Sequence, residues 1–259
     1  MKIPLFLALA LVAVLVFPLG SCKKAETRPQ PATETVPSTQ KDPNSEPDAP
    51  SEVPLLPIKA GDFWRYQVDL EVMNPSTAAD GAAAAPETRS FSVTRTYLGK
   101  LPVKPDKPPV DVFEVVTPGE ETERELVEIH ADQIHLRGSV PFKDGVAGKP
   151  IWLDTPVPFV AANIRAGSSL PSISMAEGEV TRGIQVVGRE EVVVPAGTFR
   201  AIKLLMSGMD SKAAGIEMRR TTWFAPGVGI VKEITSRYTK DLKIMTRTQI
   251  LTETSVPLP

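Results

Sequence analysis

The clearest pattern in the chain is a strict alternation of apolar and polar side chains that begins at residue 64. The apolar positions are Trp64, Tyr66, Val68, Leu70 and Val72. The polar positions between them are Arg65, Gln67, Asp69 and Glu71. A period of two residues places alternate side chains on opposite faces of an extended strand, whereas helical spacing would scatter them around the axis. The pattern therefore predicts a β-strand over 64–72 with one buried face.

Similar segments recur along the rest of the chain and are separated by turns. They predict strands over 89–98, 110–117, 121–130, 133–140, 178–188, 190–194, 198–207, 216–224, 228–237 and 242–252. Ala131 and Asp132 are predicted to turn a hairpin between two of these strands. Strands at this spacing, without a long amphipathic helix, are typical of antiparallel β structure. The fold class is therefore predicted to be mainly β, with little helix apart from the N-terminal signal segment.

Two regions depart from this pattern. Residues 74–87 are rich in Ala, Pro, Gly and Ser, which favours a loop. The less regular region over 141–176 contains Pro156, Pro158 and Pro171. Because proline cannot donate to a β-ladder, these residues argue against a long central strand there. Residues 159–165 are predicted to form one short helical turn.

The first 21 residues predict export. Lys2 supplies a positive charge, and the apolar run from Ile3 to Phe17 is shorter than the roughly 20 residues of a membrane-spanning helix. The run ends in Leu19-Gly20-Ser21-Cys22, which resembles the lipobox read by lipoprotein signal peptidase. We expect residues 1–21 to be a signal peptide and the Cys22 sulfur to carry a lipid. An ordinary secretory signal is the alternative, but it would leave the single cysteine as an unpaired thiol in an exported protein.

Residues 22–57 are predicted to be a lipidated, disordered linker, and 58–259 the antiparallel β domain. Eight prolines and few large apolar side chains fall between residues 23 and 57. Such a segment cannot bury enough apolar area to offset the entropy of ordering it. At roughly 3 Å per residue it reaches on the order of 100 Å when extended. The prediction is a β domain held away from a membrane on a mobile tether.

Charge and cysteine content limit the partners. Beyond residue 57 the chain carries 24 basic and 25 acidic residues, so a nucleic-acid partner, which requires a basic surface, is not expected. With one cysteine, no intramolecular disulfide is expected. The expected location is the bacterial cell envelope. Lys23, in place of an aspartate after Cys22, favours the periplasmic face of the outer membrane over the inner membrane.

Two segments have a specific turn chemistry. They are Val192-Val193-Val194-Pro195-Ala196-Gly197-Thr198-Phe199 and Thr222-Trp223-Phe224-Ala225-Pro226-Gly227-Val228-Gly229-Ile230-Val231-Lys232. In each, a β segment meets a proline, and Gly197 or Gly227 supplies a backbone that accepts a positive φ. We interpret both as turns between paired strands, with a ligand-contacting loop as the alternative.

These segments, together with Gly61-Asp62-Phe63-Trp64-Arg65-Tyr66, resemble a broad group of bacterial envelope proteins of unknown function. The resemblance extends over about residues 167–240 and is thin between 74 and 160. Proteins of that group are often lipoproteins and are thought to share a curved antiparallel sheet related to the LolA/LolB lipoprotein carriers. The resemblance thus implies a single curved sheet, or half-barrel, and it brings no catalytic residues.

Candidates for chemistry are few. The two histidines, His130 and His135, would face opposite ways within one strand but could meet across a hairpin turn. A metal site would also need a carboxylate such as Glu128 or Asp132 and a closed geometry. We expect two surface histidines instead, with no metal and no cofactor.

No catalytic motif is recognisable. The sequence has no Gly-x-Ser-x-Gly elbow, no His-Glu-x-x-His and no glycine-rich phosphate loop leading into a helix. A run of glutamates surrounds Arg124, namely Glu120, Glu121, Glu123, Glu125 and Glu128. We interpret this run as a solvated strand face rather than as paired acid and base groups. No catalytic residue is expected, and the chain is predicted not to be an enzyme.

The expected function is that of a membrane-anchored, non-enzymatic lipoprotein whose β domain binds a lipid, another hydrophobic ligand or an envelope partner. Large apolar side chains on the strands motivate this hypothesis, although such side chains also simply fill cores. The alternative is a scaffolding lipoprotein that binds another protein, since a long linker suits a domain that must reach its partner. An enzyme of unknown class is the least favoured hypothesis.

Overall fold

The computed structural model describes residues 54–73, 85–173, 182–209, 215–240 and 242–258. Within these ranges the chain forms thirteen strands. They are β1 (Phe63–Val72), β2 (Glu87–Leu101), β3 (Val110–Val116), β4 (Thr122–Ile129), β5 (Gln133–Lys143), β6 (Val146–Ala147), β7 (Ile151–Ala161), β8 (Ser169–Ile173), β9 (Arg182–Val194), β10 (Gly197–Met209), β11 (Ile216–Ala225), β12 (Gly229–Thr239) and β13 (Leu242–Thr254). A search of the same residues found no apolar helix long enough to cross a bilayer.

All the strands belong to one antiparallel sheet. Its order is β6-β5-β4-β3-β2-β1-β13-β12-β11-β10-β9-β8, and β7 pairs with β5 beside this path. Each half of the sheet is a meander of successive hairpins, and the β1–β13 pair joins the halves. The strands β7 and β8 lie at opposite ends of this order but contact each other. The sheet is not closed into a barrel.

The sheet curves around one hydrophobic core. Trp64 of β1, Ile134 of β5, Val160 of β7 and Ile184 of β9 belong to the same cluster of buried side chains, although their strands lie far apart in the order. A flat sheet could not bring them together, so the face that carries them is concave, and we call it the inner face. The predicted fold, a mainly β chain forming a single curved antiparallel sheet, is confirmed.

The predicted strands agree with the observed ones over most of the chain. The hairpin between β4 and β5 turns at Ala131-Asp132, as expected. The two strands predicted over 178–188 and 190–194 are instead one strand, β9, with an irregularity in its pairing beside Gly188. A bulge adds an unpaired residue without ending a strand. The glycine therefore marks a bulge rather than the strand boundary that the sequence predicted.

Residues 141–173, the described part of the region over 141–176, are more regular than predicted. They contain β7, an eleven-residue strand that includes Pro156 and Pro158, and also β8. Among the described strands β7 has a hydrogen-bonded ladder with β5 alone, so its other edge needs no backbone donors and tolerates proline. The helical turn predicted over 159–165 is wrong, because β7 continues to Ala161 and non-helical turns follow.

The folded domain begins before the predicted boundary at residue 58. Leu55 is completely buried, and Leu56 is nearly so. The backbone N–H of Leu55 donates to the carbonyl of Ala131 (3.0 Å), and its carbonyl accepts from the N–H of Gly227 (2.9 Å). The end of the predicted linker is therefore part of the core, because two adjacent leucines bury enough apolar surface to be held there.

The two proline–glycine segments form turns, as interpreted. Pro195-Ala196 joins β9 to β10, and Gly197 follows with φ of 144°. Pro226-Gly227 joins β11 to β12 in a type II turn, in which Gly227 has φ of 84° and the N–H of Val228 donates to the carbonyl of Ala225 (3.0 Å).

The segment over 61–66 packs directly against the segment over 222–232, and both carry the resemblance described above. Trp64 is completely buried, and its indole Nε1 donates to the carbonyl of Val228 (2.7 Å). Gly229 packs beside the same indole, since a Cβ added there would be in van der Waals contact with it, 3.5 Å from that nitrogen. The residues of the resemblance thus close one end of the inner core, which is a structural role.

Candidate functional site

The inner face changes from apolar to polar along β11, β12 and β13. Near the Pro226-Gly227 turn this face carries Phe224, Val231 and Leu251, which belong to the hydrophobic core. Further along the same strands, alternation places polar side chains on the same face. We call one group of these the arginine patch, and it comprises Arg220, Glu233, Thr235, Arg237 and Arg247.

Strand register places the members of the arginine patch side by side. Thr235 of β12 lies opposite Arg220 of β11 and also opposite Arg247 of β13. Arg237 follows two residues later on β12 and therefore shares the face. Because adjacent strands are about 4.8 Å apart, three guanidinium groups are gathered on three neighbouring strands.

One carboxylate, that of Glu233, belongs to the arginine patch. It is 8% exposed and accepts a hydrogen bond from the Thr222 hydroxyl (3.1 Å). Its Oε1 lies 3.7 Å from the Nε of Arg220. Burial lowers the pKa of Arg247, Glu233 opposes that shift, and Arg220 adds to it. With three arginines and one glutamate, the arginine patch has a net positive charge.

A second ion pair lies beside the arginine patch on the inner face. Arg95 Nη2 is 2.7 Å from Glu125 Oε2, and the Arg95 guanidinium stacks 3.8 Å from the centre of the Phe113 ring. Next to it, Tyr66 donates its hydroxyl to the carbonyl of Ile230 (3.0 Å), and burial raises the Tyr66 pKa. Arg95 and Glu125 offset each other, and the charge of Glu125 also acts on Arg247.

Apolar side chains border the arginine patch. Leu70 lies opposite Arg247, and Met206 lies opposite Arg220. The apolar rim comprises Leu70, Ile184, Met206, Met218 and Met245. Methionine side chains adapt to irregular shapes. The polar end of the inner face therefore combines three arginines with an adaptable apolar border.

Cys22, the predicted lipidation site, lies outside the described residues. The same holds for the predicted signal peptide over 1–21 and for nearly all of the predicted linker, since the described chain starts at residue 54.

The two histidines meet across the β4–β5 turn. The ring centroids of His130 and His135 are 5.4 Å apart in a T-shaped arrangement. One ligand atom from each histidine and a carboxylate oxygen of Glu128 all lie within 4.8 Å of one another. Burial lowers the pKa of His135, and His130 lowers it further. Of the two carboxylates considered from the sequence, the structure brings Glu128 and not Asp132 into this group.

The glutamates around Arg124 are distributed among separate ion pairs. Glu125 pairs with Arg95, and Glu121 Oε1 lies 3.8 Å from Lys143 Nζ. Arg124 itself pairs with Glu114 at 3.0 Å. The glutamates therefore do not form the single solvated strand face that was predicted, because Glu125 lies on the inner face and Glu128 on the outer face. A depression of about 520 Å³ lies at this corner of the sheet, lined in part by Glu114, Glu120, Glu121, Arg124, Phe142 and Lys143.

A family model described as DUF3108-like matches residues 164–250, about a third of the chain. The matched segment contains every residue of the arginine patch. No curated protein matches the sequence.

Two solved structures match most of the chain at low identity. A Bacteroides fragilis protein, described as exported and as having a YmcC-like fold, matches with a TM-score of 0.36 and 14% identity, covering 78% of this chain and 99% of its own. A Parabacteroides distasonis protein, described as a lipoprotein, matches with a TM-score of 0.34 and 15% identity over the same shares of the two chains.

Proposed function

We propose that the chain is a lipoprotein of the bacterial cell envelope, anchored through Cys22, whose inner face binds an amphipathic molecule that carries an anionic group. The proposal includes no chemical conversion of that molecule. The arginine patch carries the proposal, since it combines three cationic groups, one carboxylate and an apolar border on a single concave surface.

Electrostatics at the arginine patch favours an anion. A partly buried guanidinium loses hydration, and a carboxylate or phosphate restores the lost interactions through charge-assisted hydrogen bonds. Arg220 and Arg247 lie on either side of Thr235, with about 10 Å between their strands. Two arginine side chains are long enough to hold one anionic group between them.

The apolar rim supplies the second half of the site. The core beside the patch is filled, since Val68, Ile202 and Leu251 are completely buried. Ile184 and Met206 belong to that core, whereas Leu70 and Met245 are only half-buried, so an apolar tail has its place across Leu70 and Met245. This arrangement matches a fatty acid or a lipid with an acidic headgroup better than a purely apolar molecule.

Binding of a fluorescent fatty acid to the non-lipidated chain tests this function. Replacing both Arg220 and Arg247 with glutamine should weaken binding by about 10- to 100-fold, because two charge-assisted contacts are lost. The uncharged methyl ester of the same probe should bind the unmodified chain more weakly than the acid does. The ester should also bind the unmodified chain and the double variant with equal affinity.

Arg219 provides a matched control. It neighbours Arg220 on β11 but projects from the opposite face, where it pairs with Glu217 at 2.7 Å. Arg219→Gln removes one positive charge from the domain and should leave probe affinity unchanged. Equal binding of the acid and the ester, or equal losses in Arg219→Gln and in the double variant of Arg220 and Arg247, would refute a role for the arginine patch. Reproducible crosslinking to an envelope protein without probe binding would favour the scaffolding alternative.

The anchor can be tested separately. Cys22→Ala should abolish incorporation of labelled fatty acid and leave the signal peptide uncleaved by lipoprotein signal peptidase, because the sulfur that accepts the lipid is gone. Labelling of cells followed by immunoprecipitation measures this, with Ser21→Ala, which keeps a small residue before the cysteine, as the control. Persistent labelling of the Cys22→Ala chain would contradict the lipobox interpretation.

A further inference from the structure

The hairpin of β4 and β5 carries a second cluster with potential chemistry, on the outer face and apart from the arginine patch. Glu128 and His130 are two residues apart along one arm, and His135 of β5 lies directly opposite Glu128. Alternation and register thus place all three on one face of the hairpin. Their ligand atoms lie within 4.8 Å of one another.

The hairpin tip is held in place by backbone hydrogen bonds from three directions. The N–H of His130 donates to the carbonyl of Gln133 (2.8 Å) across the turn. The N–H of Leu55 donates to the carbonyl of Ala131 (3.0 Å), and the N–H of Ala162 donates to that of Asp132 (2.7 Å). The backbone that positions both histidines is therefore fixed before any ligand arrives.

Arg137 orients the carboxylate of the cluster. Its Nε lies 3.1 Å from Oε1 of Glu128, and its guanidinium stacks 4.7 Å from the centre of the Trp152 ring. The other oxygen of Glu128, Oε2, lies 3.9 Å from Nε2 of His130. One carboxylate oxygen is thus occupied by a cation, while the second faces the histidines.

We propose that Glu128, His130 and His135 bind a divalent transition-metal ion of the zinc class. Two imidazoles and one carboxylate are a donor set that such ions prefer, at roughly 2.0–2.2 Å from the metal. In a tetrahedral site the donor atoms lie about 3.4 Å apart. Ligand atoms that now lie up to 4.8 Å apart must therefore approach one another by up to about 1.4 Å. The His130 side chain is 49% exposed, which leaves it free to rotate and leaves a coordination position open to water or to another molecule.

Titration of the untagged, chelator-treated chain with Zn²⁺ tests the site. The two histidines are the only ones in the chain, so their ring proton resonances in NMR spectra report on the site without ambiguity. One equivalent of Zn²⁺ should shift or broaden both resonances, and calorimetry should show a single site. Metal should also raise the melting temperature, because it binds the folded state.

Variants assign the ligands. His130→Asn, His135→Asn and Glu128→Gln should each weaken Zn²⁺ binding by about tenfold or more. Glu123→Gln removes a carboxylate from the same strand and should leave binding unchanged. Circular dichroism should show an unaltered β spectrum for the histidine variants, because His130 is exposed and His135 is only half-buried. Histidine resonances that stay unchanged at stoichiometric Zn²⁺, or a Zn²⁺ affinity that is the same in His130→Asn and His135→Asn as in the unmodified chain, would overturn the proposal.

Discussion

Replacing Gly138 with alanine is expected to destabilise the domain by about 3 kcal/mol or more. Gly138 lies in β5 with φ of 138°, a region that residues with a side chain rarely adopt. A Cβ at this position would be 1.9 Å from the carbonyl oxygen of Ile151 and 3.2 Å from the Cα of Trp152. Both are backbone atoms of β7, so no change of side-chain rotamer relieves the overlap.

The expected response is local because of the position of β7 in the sheet. Among the described strands, β7 forms backbone hydrogen bonds with β5 alone. An outward movement of β7 therefore breaks the pairing on one of its edges rather than on both. Amides of residues 151–161, other than Pro156 and Pro158, should therefore exchange with solvent faster in Gly138→Ala, in addition to the loss in unfolding free energy. Urea unfolding and hydrogen exchange measure the two effects.

Gly183 of β9 provides the control. It also lies within a paired strand, opposite Ser207, but a Cβ there would meet no atom within 4 Å. Gly183→Ala should cost little, since alanine also has the lower conformational entropy when unfolded. Equal stability of the two variants would show that β7 does not approach β5 as closely as described.

The strands in which apolar and polar residues alternate clearly could be predicted, because the two faces of such a strand differ in polarity. Trp64 to Val72 is such a case, and β1 differs from the prediction only in beginning one residue earlier, at Phe63. The strand β7 could not be predicted in this way, because Pro156 and Pro158 signal a break unless the strand lies at an edge. Edge position depends on the order of the strands, which is a property of the whole sheet.

The arginine patch was missed for a related reason. Arg219 and Arg220 are adjacent in the sequence, so one of them faces inward and the other outward. A bulge between β11 and β12 shifts the register beside Trp223, and a shift of one residue reverses which side chain faces the core. The sequence shows several arginines in the last strands. That Arg220, Arg237 and Arg247 share a face follows only from the register in which those strands pair.

The meeting of His130 and His135 could be predicted in part. The hairpin turn between them follows from the strand pattern, and the sequence allowed the two rings to meet across it. The third member, Glu128, depended on pairing, since Glu128 lies opposite His135 after a register shift at Leu126 and Val127. Local sequence does not show where such a bulge occurs, and therefore does not show on which face of the sheet the following side chains lie.

Replacing Leu55 with alanine is expected to cost about 2–5 kcal/mol, the usual range for removing most of a completely buried leucine side chain. This residue belongs to a segment that the sequence assigned to the flexible linker. Its backbone joins the β4–β5 turn through Ala131 to the β11–β12 turn through Gly227, so it connects the two halves of the sheet. Its side chain occupies the core between them.

Chains that differ only in their starting residue test the same contact without a substitution. A chain that begins at Pro54 retains both buried leucines, whereas one that begins at Ile58 loses them together with both backbone hydrogen bonds. The longer chain should unfold cooperatively, and the shorter one should be less stable by more than the Leu55→Ala variant. Leu242→Ala, at a position that is 54% exposed, should have little effect in the same urea titration. Equal urea unfolding midpoints for the chains that begin at Pro54 and at Ile58 would place the domain boundary at residue 58. Residues 54–57 would then belong to the linker and would not stabilise the core.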